Sequence, residues 1–479
     1  VNIPFFARNI RGVTLGLARR EFVDAARLSG KGDLRILLSE VLPNVLPTIV
    51  ITMSTTIGWM ILETAGLSFL GLGAQPPQAD LGSMLGEGRK LLFNAPHVSV
   101  IPGLMIFALV MSINLLGDGI RDVLDPRLKS GALARPSAAT QVDRAIVPPL
   151  QPMKAGTLLD VRDLATQFRI GSEIYRAVDG VSFELKQEEC LGLVGESGSG
   201  KSVTALSLLG LAPTPPGCIT GGRVVYRDRD LLEASTEELR RLRGDSIGYI
   251  FQDPLATLHP LFTVGDQVTE AIRAHRPLSY RDAWKRAVAL LELVRISNAA
   301  ERAKSYPHQL SGGMRQRVGI AMALANDAEV LIADEPTTAL DVTVQAQVLK
   351  LLDALRGEKQ ATLLFITHDF GVVSEICDRV AVMYAGRIVE IGPTDEVLSA
   401  PAHPYTRKLI DCVPVMGEPD RRLDAIPGLP PAVNRLPPGC AFAERCPRAE
   451  TACRKGEIML DPLDARRAVR CIKPLEGRA

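Results

Sequence analysis

The sequence predicts a multidomain protein in which an all-α, membrane-spanning part is followed by an α/β domain with a parallel core sheet. Three observations predict this arrangement. Two long apolar segments near the start carry almost no charge, a proline-rich stretch follows them, and short apolar, strand-like runs after residue 190 end in glycines or carboxylates. The length of 479 residues also fits about three domains of roughly 150 residues each.

Composition narrows the classes of function. The chain carries 55 Lys and Arg against 54 Asp and Glu, a net charge of +1, so it offers no electrostatic argument for nucleic acid as a partner. Its mean hydropathy of +0.13 is high for a chain with 23% charged residues. This mean hydropathy is therefore an average over an apolar part of the chain and a soluble part.

The two apolar segments run from Val45 to about Leu70 and from Val98 to Leu116. Glu63 is the only ionisable residue between positions 40 and 80, and His97 is the only one between positions 90 and 118. Because a membrane-spanning helix needs about 20 apolar residues, both segments qualify as spans. The alternative is a pair of buried helices in a soluble core, which seldom run so long without charge.

Basic residues predict the orientation of these spans. The connection between them, Gly71–Pro96, holds only Arg89 and Lys90. The flanks are richer in basic residues: Arg8, Arg11, Arg19, Arg20, Arg27, Lys31 and Arg35 before the first span, and Arg121, Arg127, Lys129 and Arg135 after the second. Both chain ends are therefore expected in the cytoplasm and the connection outside. Because the chain begins at Val1 rather than Met, we expect a further portion upstream.

A glycine-rich loop predicts a phosphate-binding site. The loop follows the apolar run 191–194 and precedes the helical run 203–209, which is the context that the pattern GxxxxGK[ST] requires. Its backbone N–H groups can surround phosphate oxygens, the lysine can reach the β- and γ-phosphates, and the serine hydroxyl can bind Mg²⁺. The candidate residues are Gly195, Glu196, Ser197, Gly198, Ser199, Gly200, Lys201 and Ser202.

Two carboxylates, Asp334 and Glu335, end the buried-strand run Glu329–Glu335. Asp334 is placed to hold Mg²⁺ through water, and Glu335 can polarise an attacking water as general base. Gln252 and His368 each follow another strand-like run. A single Gln or His after a strand is usually a capping or surface residue, so these two gain meaning only from the whole pattern. Ser311, Gly312 and Gly313 precede a long helical pattern and form a candidate anion site at its N-terminus.

Together these segments resemble the ATPase of an ABC transporter. In that family's terms, the matching segments are Walker A (Gly195–Ser202), the Q-loop (Gln252), the signature (Leu310–Met314), Walker B (Val330–Glu335), the D-loop (Ala339–Asp341) and the switch histidine (His368). The resemblance implies an α/β domain with a parallel core sheet, an antiparallel β subdomain and a helical subdomain. It also implies ATP with Mg²⁺ held by Ser202, Gln252 and Asp334, and catalysis by Glu335, His368 and Lys201.

The same resemblance implies a partner ATPase domain. Two such domains, identical or different, stack head to tail, so that Ser311, Gly312 and Gly313 complete the nucleotide site of the other domain.

Two details stay open. The aromatic that stacks on adenine is Phe168 or Tyr175, and Glu188 stands where the family usually has glycine, which costs strain if φ is positive there.

The N-terminal part resembles the permeases of ABC importers. Phe22–Gly30, with Asp24, Ala25, Ala26 and Gly30, is similar to the cytoplasmic coupling loop that docks on the ATPase. Glu63–Gly73 and Leu116–Asp122 resemble the last third of the inner-membrane permease of peptide and nickel importers. The implied partners are a second permease subunit, an extracytoplasmic substrate-binding protein and membrane lipid, in a bacterial inner membrane with the ATPase in the cytoplasm.

Four cysteines in the proline-rich tail form a set: Cys440, Cys446, Cys453 and Cys471. Disulfides are not expected in the cytoplasm, and zinc sites usually contain CxxC pairs, which this set lacks. His403–Thr406 and Gly439–Phe442 resemble the C-terminal extension of oligopeptide and dipeptide importer ATPases. In part of that family the cysteines carry a [4Fe–4S] cluster, which is therefore the favoured interpretation over zinc or plain thiols.

The resulting prediction is a permease–ATPase fusion. Its divisions are a permease fragment (1–129), a linker rich in Ala and Pro (130–155), the ATPase domain (156–400) and the C-terminal extension (401–479). The expected function is ATP hydrolysis coupled to uptake of di- or oligopeptides. Three alternatives stay open: a nickel importer, a soluble ABC ATPase that acts on ribosomes or DNA, and a subunit that binds ATP without turnover.

Overall fold

The computed structural model describes residues 2–17, 23, 32–73, 75, 78–124, 140–149, 152–253, 257–338, 340–413 and 426–475. Contacts divide the chain into two compact units, Val1–Ala134 and Arg135–Ala479. Each unit is described by itself. The predicted coupling residues Asp24, Ala25, Ala26 and Gly30 lie outside the described residues.

The N-terminal unit is helical. Its helices are α1 (Asn2–Leu17), α2 (Asp33–Ile36), α3 (Leu42–Phe69), α4 (Leu81–Gly88) and α5 (His97–Leu124), with a π-helical turn at Leu37–Val41 and a 3₁₀ turn at Arg89–Leu91. Helices α3 and α5 contain the two predicted spans and are long and apolar enough to cross a membrane. Only 27% of the most apolar stretch of α3 and 17% of that of α5 are buried, which differs from the core helices of a soluble protein.

Small residues let these helices approach closely. A Cβ atom added to Gly117 of α5 would lie 2.2 Å from the Cβ of Ser54 in α3. A Cβ on Gly82 of α4 would lie 2.3 Å from the carbonyl oxygen of Ala65. Asp80 caps α4 by accepting a hydrogen bond from the backbone N–H of Ser83 at 2.9 Å. Close approach through small residues is the usual way in which helices pack in lipid.

The C-terminal unit contains two sheets and a set of helices. Its strands are β1 (Gln141–Ile146), β2 (Thr157–Ile170), β3 (Glu173–Lys186), β4 (Cys190–Val194), β5 (Gly217–Tyr226), β6 (Arg229–Asp230), β7 (Ile247–Ile250), β8 (Val330–Asp334), β9 (Thr362–Thr367), β10 (Arg379–Tyr384), β11 (Arg387–Pro393), β12 (Asp461–Pro462) and β13 (Ala468–Val469). Its helices are α6 (Lys201–Leu208), α7 (Thr236–Leu242), α8 (Val264–Arg273), α9 (Tyr280–Leu293), α10 (Ala299–Arg302), α11 (Gly312–Ala323), α12 (Val342–Lys359), α13 (Phe370–Ile376), α14 (Thr394–Ser399) and α15 (Pro404–Asp411), with 3₁₀ turns at Pro307–Gln309 and Thr451–Arg454.

The larger sheet has the strand order β12-β13-β11-β10-β4-β9-β8-β7, and its run from β10 to β7 is parallel. The smaller sheet has the order β1-β5-β2-β3, with β6 beside β5, and is mainly antiparallel. Helices α8 to α11 lie between β7 and β8 in the chain. The predicted parallel core sheet, antiparallel subdomain and helical subdomain are all present.

The parallel register brings the candidate site residues to one edge. Every residue of β4, β8 and β9 is buried, as expected for strands covered on both faces. Val194 pairs with Thr367, and Asp334 pairs with Ile366. Since the loops that follow these strands start from the same sheet edge, the glycine-rich loop, the paired carboxylates and His368 are neighbours.

The predicted linker contains a strand that the sequence did not indicate. Gln141–Ile146 runs parallel to β5 at the edge of the smaller sheet. Arg144 of this strand donates to Asp230 Oδ2 at 2.8 Å and to Glu233 Oε1 at 2.9 Å. The Asp230 side chain is only 4% exposed, so this contact ties β1 to the rest of the C-terminal unit. Six residues in a proline-rich stretch carry too little pattern to reveal a strand whose partner residues lie 75 to 77 positions further along.

The turn before β4 has the strained conformation that the sequence suggested. Glu188 has φ +63°, and its N–H donates to the Thr362 hydroxyl at 3.0 Å. A residue with a Cβ atom pays roughly 1 kcal/mol for this conformation relative to glycine.

Candidate nucleotide-binding site

Glycines in the loop after β4 allow a conformation that other residues would block. Gly198 and Gly200 have φ of +78° and +101°. A Cβ atom on Gly195 would lie 2.2 Å from the Met383 carbonyl oxygen, and one on Gly200 would lie 2.2 Å from the Ala177 carbonyl oxygen. The loop is therefore pressed against the ends of neighbouring strands, and it leads directly into α6, whose N-terminus favours anions.

Lys201, the first residue of α6, is buried and holds the loop. Its Nζ donates to the carbonyl oxygens of Gly195 at 2.8 Å and Glu196 at 3.0 Å. Burial lowers the pKa of the lysine, while the carboxylates of Glu335 and Asp334 oppose that shift. The ammonium group thus lies among loop carbonyls and acidic side chains, in reach of an anion that enters the loop.

Asp334 ends β8 and meets two hydroxyl groups. Its Oδ1 accepts a hydrogen bond from Ser202 Oγ at 2.9 Å, and its Oδ2 accepts one from the Tyr249 hydroxyl at 2.9 Å. Burial raises the pKa of Asp334, and the two hydrogen bonds oppose the rise. A carboxylate and a serine hydroxyl at this distance are the oxygen ligands that Mg²⁺ prefers.

Glu335 lies next to two other predicted residues, Gln252 and His368, and next to Thr338. Its Oε2 accepts hydrogen bonds from Gln252 Nε2 at 3.0 Å and Thr338 Oγ1 at 2.8 Å, and its Oε1 lies 3.6 Å from His368 Nδ1. The residue has φ +46°, and its N–H donates to the carbonyl oxygen of Ile366 at 2.9 Å. Strain at a single acidic residue, held by the neighbouring strand, is typical of functional sites.

Sequence reasoning missed Tyr249 and Thr338. Both contact a carboxylate that the sequence did identify, yet neither belongs to a recognisable motif. Tyr249 lies in β7, and β7 pairs with β8 so that Tyr249 faces Ile332 in register. Its position three residues before Gln252 was the available signal, but the strand order needed to use that signal is visible only in the fold.

The signature residues lie on another part of the domain. Ser311 caps α11, and its Oγ accepts a hydrogen bond from the Met314 N–H at 3.3 Å. Ser311 and Gly312 are exposed. A Cβ on Gly313 would lie 2.7 Å from Val344 Cγ1 at the start of α12. An exposed, glycine-rich helix start is open to an approaching anion.

The two candidates for the adenine-stacking aromatic face each other. Phe168 of β2 and Tyr175 of β3 are cross-strand partners, and both are half-buried. The Tyr175 hydroxyl donates to Glu173 Oε2 at 2.9 Å. Both rings therefore stay candidates.

The four tail cysteines converge on one small cavity. Cys440, Cys446, Cys453 and Cys471 line it together with His403 and Phe442. Burial raises the pKa of Cys440 to about 11 and also raises the pKa values of Cys446 and Cys471. Four thiols suit an iron–sulfur cluster as a donor set. Their side chains do not form a closed coordination shell, since among the described residues no three Cys, His, Asp or Glu side chains could hold one metal ion.

Comparison with known families assigns the segments of the chain. Residues 178–338 match the family model described as ABC transporter. Residues 389–453 match the C-terminal region of oligopeptide/dipeptide transporters. Residues 1–130 match the inner membrane component of binding-protein-dependent transport systems. A soluble ATPase without a membrane part is therefore excluded as an interpretation of the whole chain.

Curated relatives match about two thirds of the chain. The probable peptide ABC transporter ATP-binding protein y4tR of Sinorhizobium fredii is 49% identical over 66% of this chain and 95% of its own length. The oligopeptide transport ATP-binding protein AppD of Bacillus subtilis is 46% identical over 66% of this chain and 96% of its own length. Among solved structures, the dimeric bacterial ABC transporter cassette MJ0796 is 30% identical, covers 50% of this chain and 99% of its own, and has a TM-score of 0.45. The chain therefore belongs to the ABC transporter family, as an ATPase subunit with an oligopeptide/dipeptide-type C-terminal region fused to an inner-membrane permease segment.

Proposed function

We propose that this chain couples ATP hydrolysis to the import of di- or oligopeptides. The observation that carries the ATP-dependent part is the convergence of Gln252, Thr338 and His368 on Glu335, beside Lys201 and the glycine-rich loop. Relatives named as peptide-transport ATP-binding proteins and the match of residues 389–453 support peptides as cargo. Nickel is the alternative cargo.

Each site residue has a proposed role. Backbone N–H groups from Gly195 to Ser202 surround the phosphates, and Lys201 contacts the β- and γ-phosphates. Ser202 and Asp334 hold Mg²⁺ together with Gln252. Glu335 activates the attacking water as general base, and His368 contacts the γ-phosphate. The distance of 3.6 Å between Glu335 Oε1 and His368 Nδ1 supports the roles of these two residues.

Replacing Glu335 by Gln is expected to lower ATP hydrolysis by roughly 10²- to 10⁴-fold, because a general base contributes about that factor. ATP should still bind, since the loop, Lys201 and Asp334 stay intact. Steady-state phosphate release by the solubilised chain measures the first effect. Uptake of labelled dipeptide by cells that carry the complete transporter, compared with nickel uptake, identifies the cargo.

Glu329→Gln is the matched control, because Glu329 precedes the same strand at the opposite end and bonds Tyr226 and Arg227. It should keep wild-type hydrolysis and uptake. If the wild type hydrolyses ATP no faster than Glu335→Gln, this chain is a binding subunit without turnover. Loss of nickel uptake alone in the variant would move the assignment to nickel.

Replacing Tyr249 by Phe is expected to narrow the pH range of activity on the acid side. The hydroxyl of Tyr249 lowers the pKa of Asp334, so its loss raises that pKa, and the carboxylate that binds Mg²⁺ is then lost at a higher pH. A hydrogen bond of ordinary strength predicts a shift of about one pH unit in the acid limb of kcat/KM. Tyr226→Phe, which removes a similar hydroxyl–carboxylate bond away from the site, should leave the limb unchanged. An unshifted limb in Tyr249→Phe would exclude this coupling.

The exposed signature residues support a partner ATPase domain. We propose that Ser311, Gly312 and Gly313 complete the nucleotide site of a second ATPase domain, identical or different. A second permease subunit and an extracytoplasmic substrate-binding protein complete the importer. The proposed contact with an ATPase domain is made by Asp24, Ala25, Ala26 and Gly30.

The Glu335→Gln variant should accumulate an ATP-dependent dimer on size-exclusion chromatography, and a variant that stays monomeric with ATP would contradict self-pairing.

We propose that the ATPase lies in the cytoplasm and the loop between α3 and α5 lies outside a bacterial inner membrane. The distribution of basic residues around the two helices supports this orientation. In intact cells with a permeabilised outer membrane, a membrane-impermeant maleimide should label Gln78→Cys above the wild-type background. Glu237→Cys, exposed in the ATPase unit, should be labelled only after lysis. The reverse pattern would contradict the orientation.

The four tail cysteines are proposed to hold a [4Fe–4S] cluster. Their shared cavity and thiol chemistry support it, and the side chains would have to turn toward one another on binding, because no three of the described ones are placed to hold one ion. Protein purified without oxygen should contain about four iron atoms per chain and absorb in the visible range. Cys446→Ser should lose both signals, whereas Cys218→Ser, outside the set, should keep them. Wild-type protein with zinc instead, or with no metal, would replace the cluster by one of the two alternatives.

A further inference from the structure

The glycine-rich loop is held by the C-terminal tail through one residue, Glu196. Its backbone N–H donates to the Tyr405 hydroxyl at 3.0 Å. Its carbonyl oxygen accepts a hydrogen bond from Lys201 Nζ at 3.0 Å. Its carboxylate binds Arg445 through two parallel hydrogen bonds of 2.9 and 3.0 Å. All three groups of the residue are therefore fixed, two of them by residues from the C-terminal part of the chain.

Every N–H group of the Arg445 guanidinium has a hydrogen-bond acceptor. Besides the two bonds to Glu196, its guanidinium donates to the Tyr384 hydroxyl at 3.2 Å and to the carbonyl oxygens of Pro427 at 3.0 Å and Ile426 at 3.5 Å. Five acceptors match the five N–H groups of an arginine. The side chain is only 6% exposed and the Glu196 side chain 24% exposed. A bidentate charge pair this well enclosed fixes both orientation and distance.

Arg445 packs against a buried cluster of three aromatic rings. Tyr384, Tyr405 and Phe442 are each at most 1% exposed. Their ring centroids lie 4.5 to 5.5 Å apart, and the guanidinium lies 5.8 Å from the Tyr384 ring centroid. Tyr384 ends β10, directly after Met383, whose carbonyl oxygen borders Gly195. The aromatic cluster therefore joins the core sheet, the loop and the tail.

A second pair of contacts places the tail beside the hairpin formed by β2 and β3. The Arg176 N–H in β3 donates to the Val433 carbonyl oxygen at 3.2 Å, and Asn434 Nδ2 donates to Glu173 Oε2 at 2.7 Å. The tail segment before Arg445 thus lies along the hairpin that carries both adenine-stacking candidates.

We propose that Arg445 is a positioning residue for the nucleotide site, which it acts on through Glu196. This inference rests on the proposed binding of ATP phosphates by the glycine-rich loop. Two physical effects follow from the contact. Arg445 fixes the loop backbone at the carbonyl that Lys201 uses, and it neutralises a carboxylate that would otherwise repel the phosphates. The C-terminal region is then a part of the nucleotide site rather than an appendage to it.

The test is the affinity of the solubilised full chain for a non-hydrolysable ATP analogue with Mg²⁺, measured by calorimetry. Arg445→Ala is expected to raise Kd about tenfold, the scale of one lost hydrogen-bonded charge pair. The double variant Arg445→Ala/Glu196→Gln should recover most of this loss, because the uncompensated carboxylate is gone. Arg445→Lys, which keeps the charge without the paired geometry, should lie between wild type and Arg445→Ala.

Arg466→Ala is the matched control, because Arg466 is an exposed tail arginine that pairs with Glu396. It should bind as the wild type does. A Kd for Arg445→Ala equal to that of the wild type would overturn the proposal. A double variant as weak as the single one would exclude the charge effect and support the fixing of the loop backbone as the role of Arg445. If Arg445→Ala does not fold, the Kd of Arg445→Lys decides alone: a value equal to wild type overturns the proposal, and a raised one supports it.

Lys201→Ala separates this proposal from the function on which it rests. If Lys201→Ala abolishes binding of the analogue while Arg445→Ala binds normally, the loop is the phosphate site and only the role of Arg445 fails. If Lys201→Ala binds the analogue as tightly as the wild type, the proposed nucleotide site itself fails.

Discussion

The burial of two opposite charges at one edge of the parallel sheet determines the rest of the site. Lys201 and Asp334 are each only 4% exposed. A buried charge is costly unless it is paired and hydrogen-bonded. The loop carbonyls that receive Lys201 and the hydroxyls that meet Asp334 satisfy this requirement, and they fix the loop against the strand ends. Burial lowers the pKa of Lys201 and raises that of Asp334, so a phosphate beside the ammonium group and a divalent cation beside the carboxylate would each stabilise the charged form.

Residues that act within one contiguous motif could be predicted from the sequence. A glycine-rich loop between a strand and a helix has a local meaning, because positive φ, close backbone approach and a helix start are properties of that segment alone. The carboxylates Asp334 and Glu335 were identified for the same reason, since they end a buried apolar run. The two apolar helices followed from length and missing charge, which need no tertiary information.

Residues that act through the order of strands could not be predicted. Tyr249 reaches Asp334 because β7 and β8 are neighbours, although 85 residues separate the two side chains. The strand β1 lies in a segment whose sequence predicts a linker, because its partner β5 and its anchor Asp230 come much later in the chain. The Arg445–Glu196 pair spans 249 residues. Spacing within a sequence carries no record of such contacts, which depend on topology.

The position of Arg445 also gives the cysteine segment a structural role that does not depend on any metal. Arg445 follows directly on a turn in which the Cys440 N–H donates to the Cys453 carbonyl and the Arg445 N–H donates to the Phe442 carbonyl, at 2.8 and 2.9 Å. The turn sets the direction in which the guanidinium leaves the tail, and the cysteines line the cavity beneath it. A change in the cavity that moved this turn would act on Glu196 and hence on the glycine-rich loop. The cysteines and the glycine-rich loop are far apart in the sequence, but in the structure the Arg445 side chain connects them.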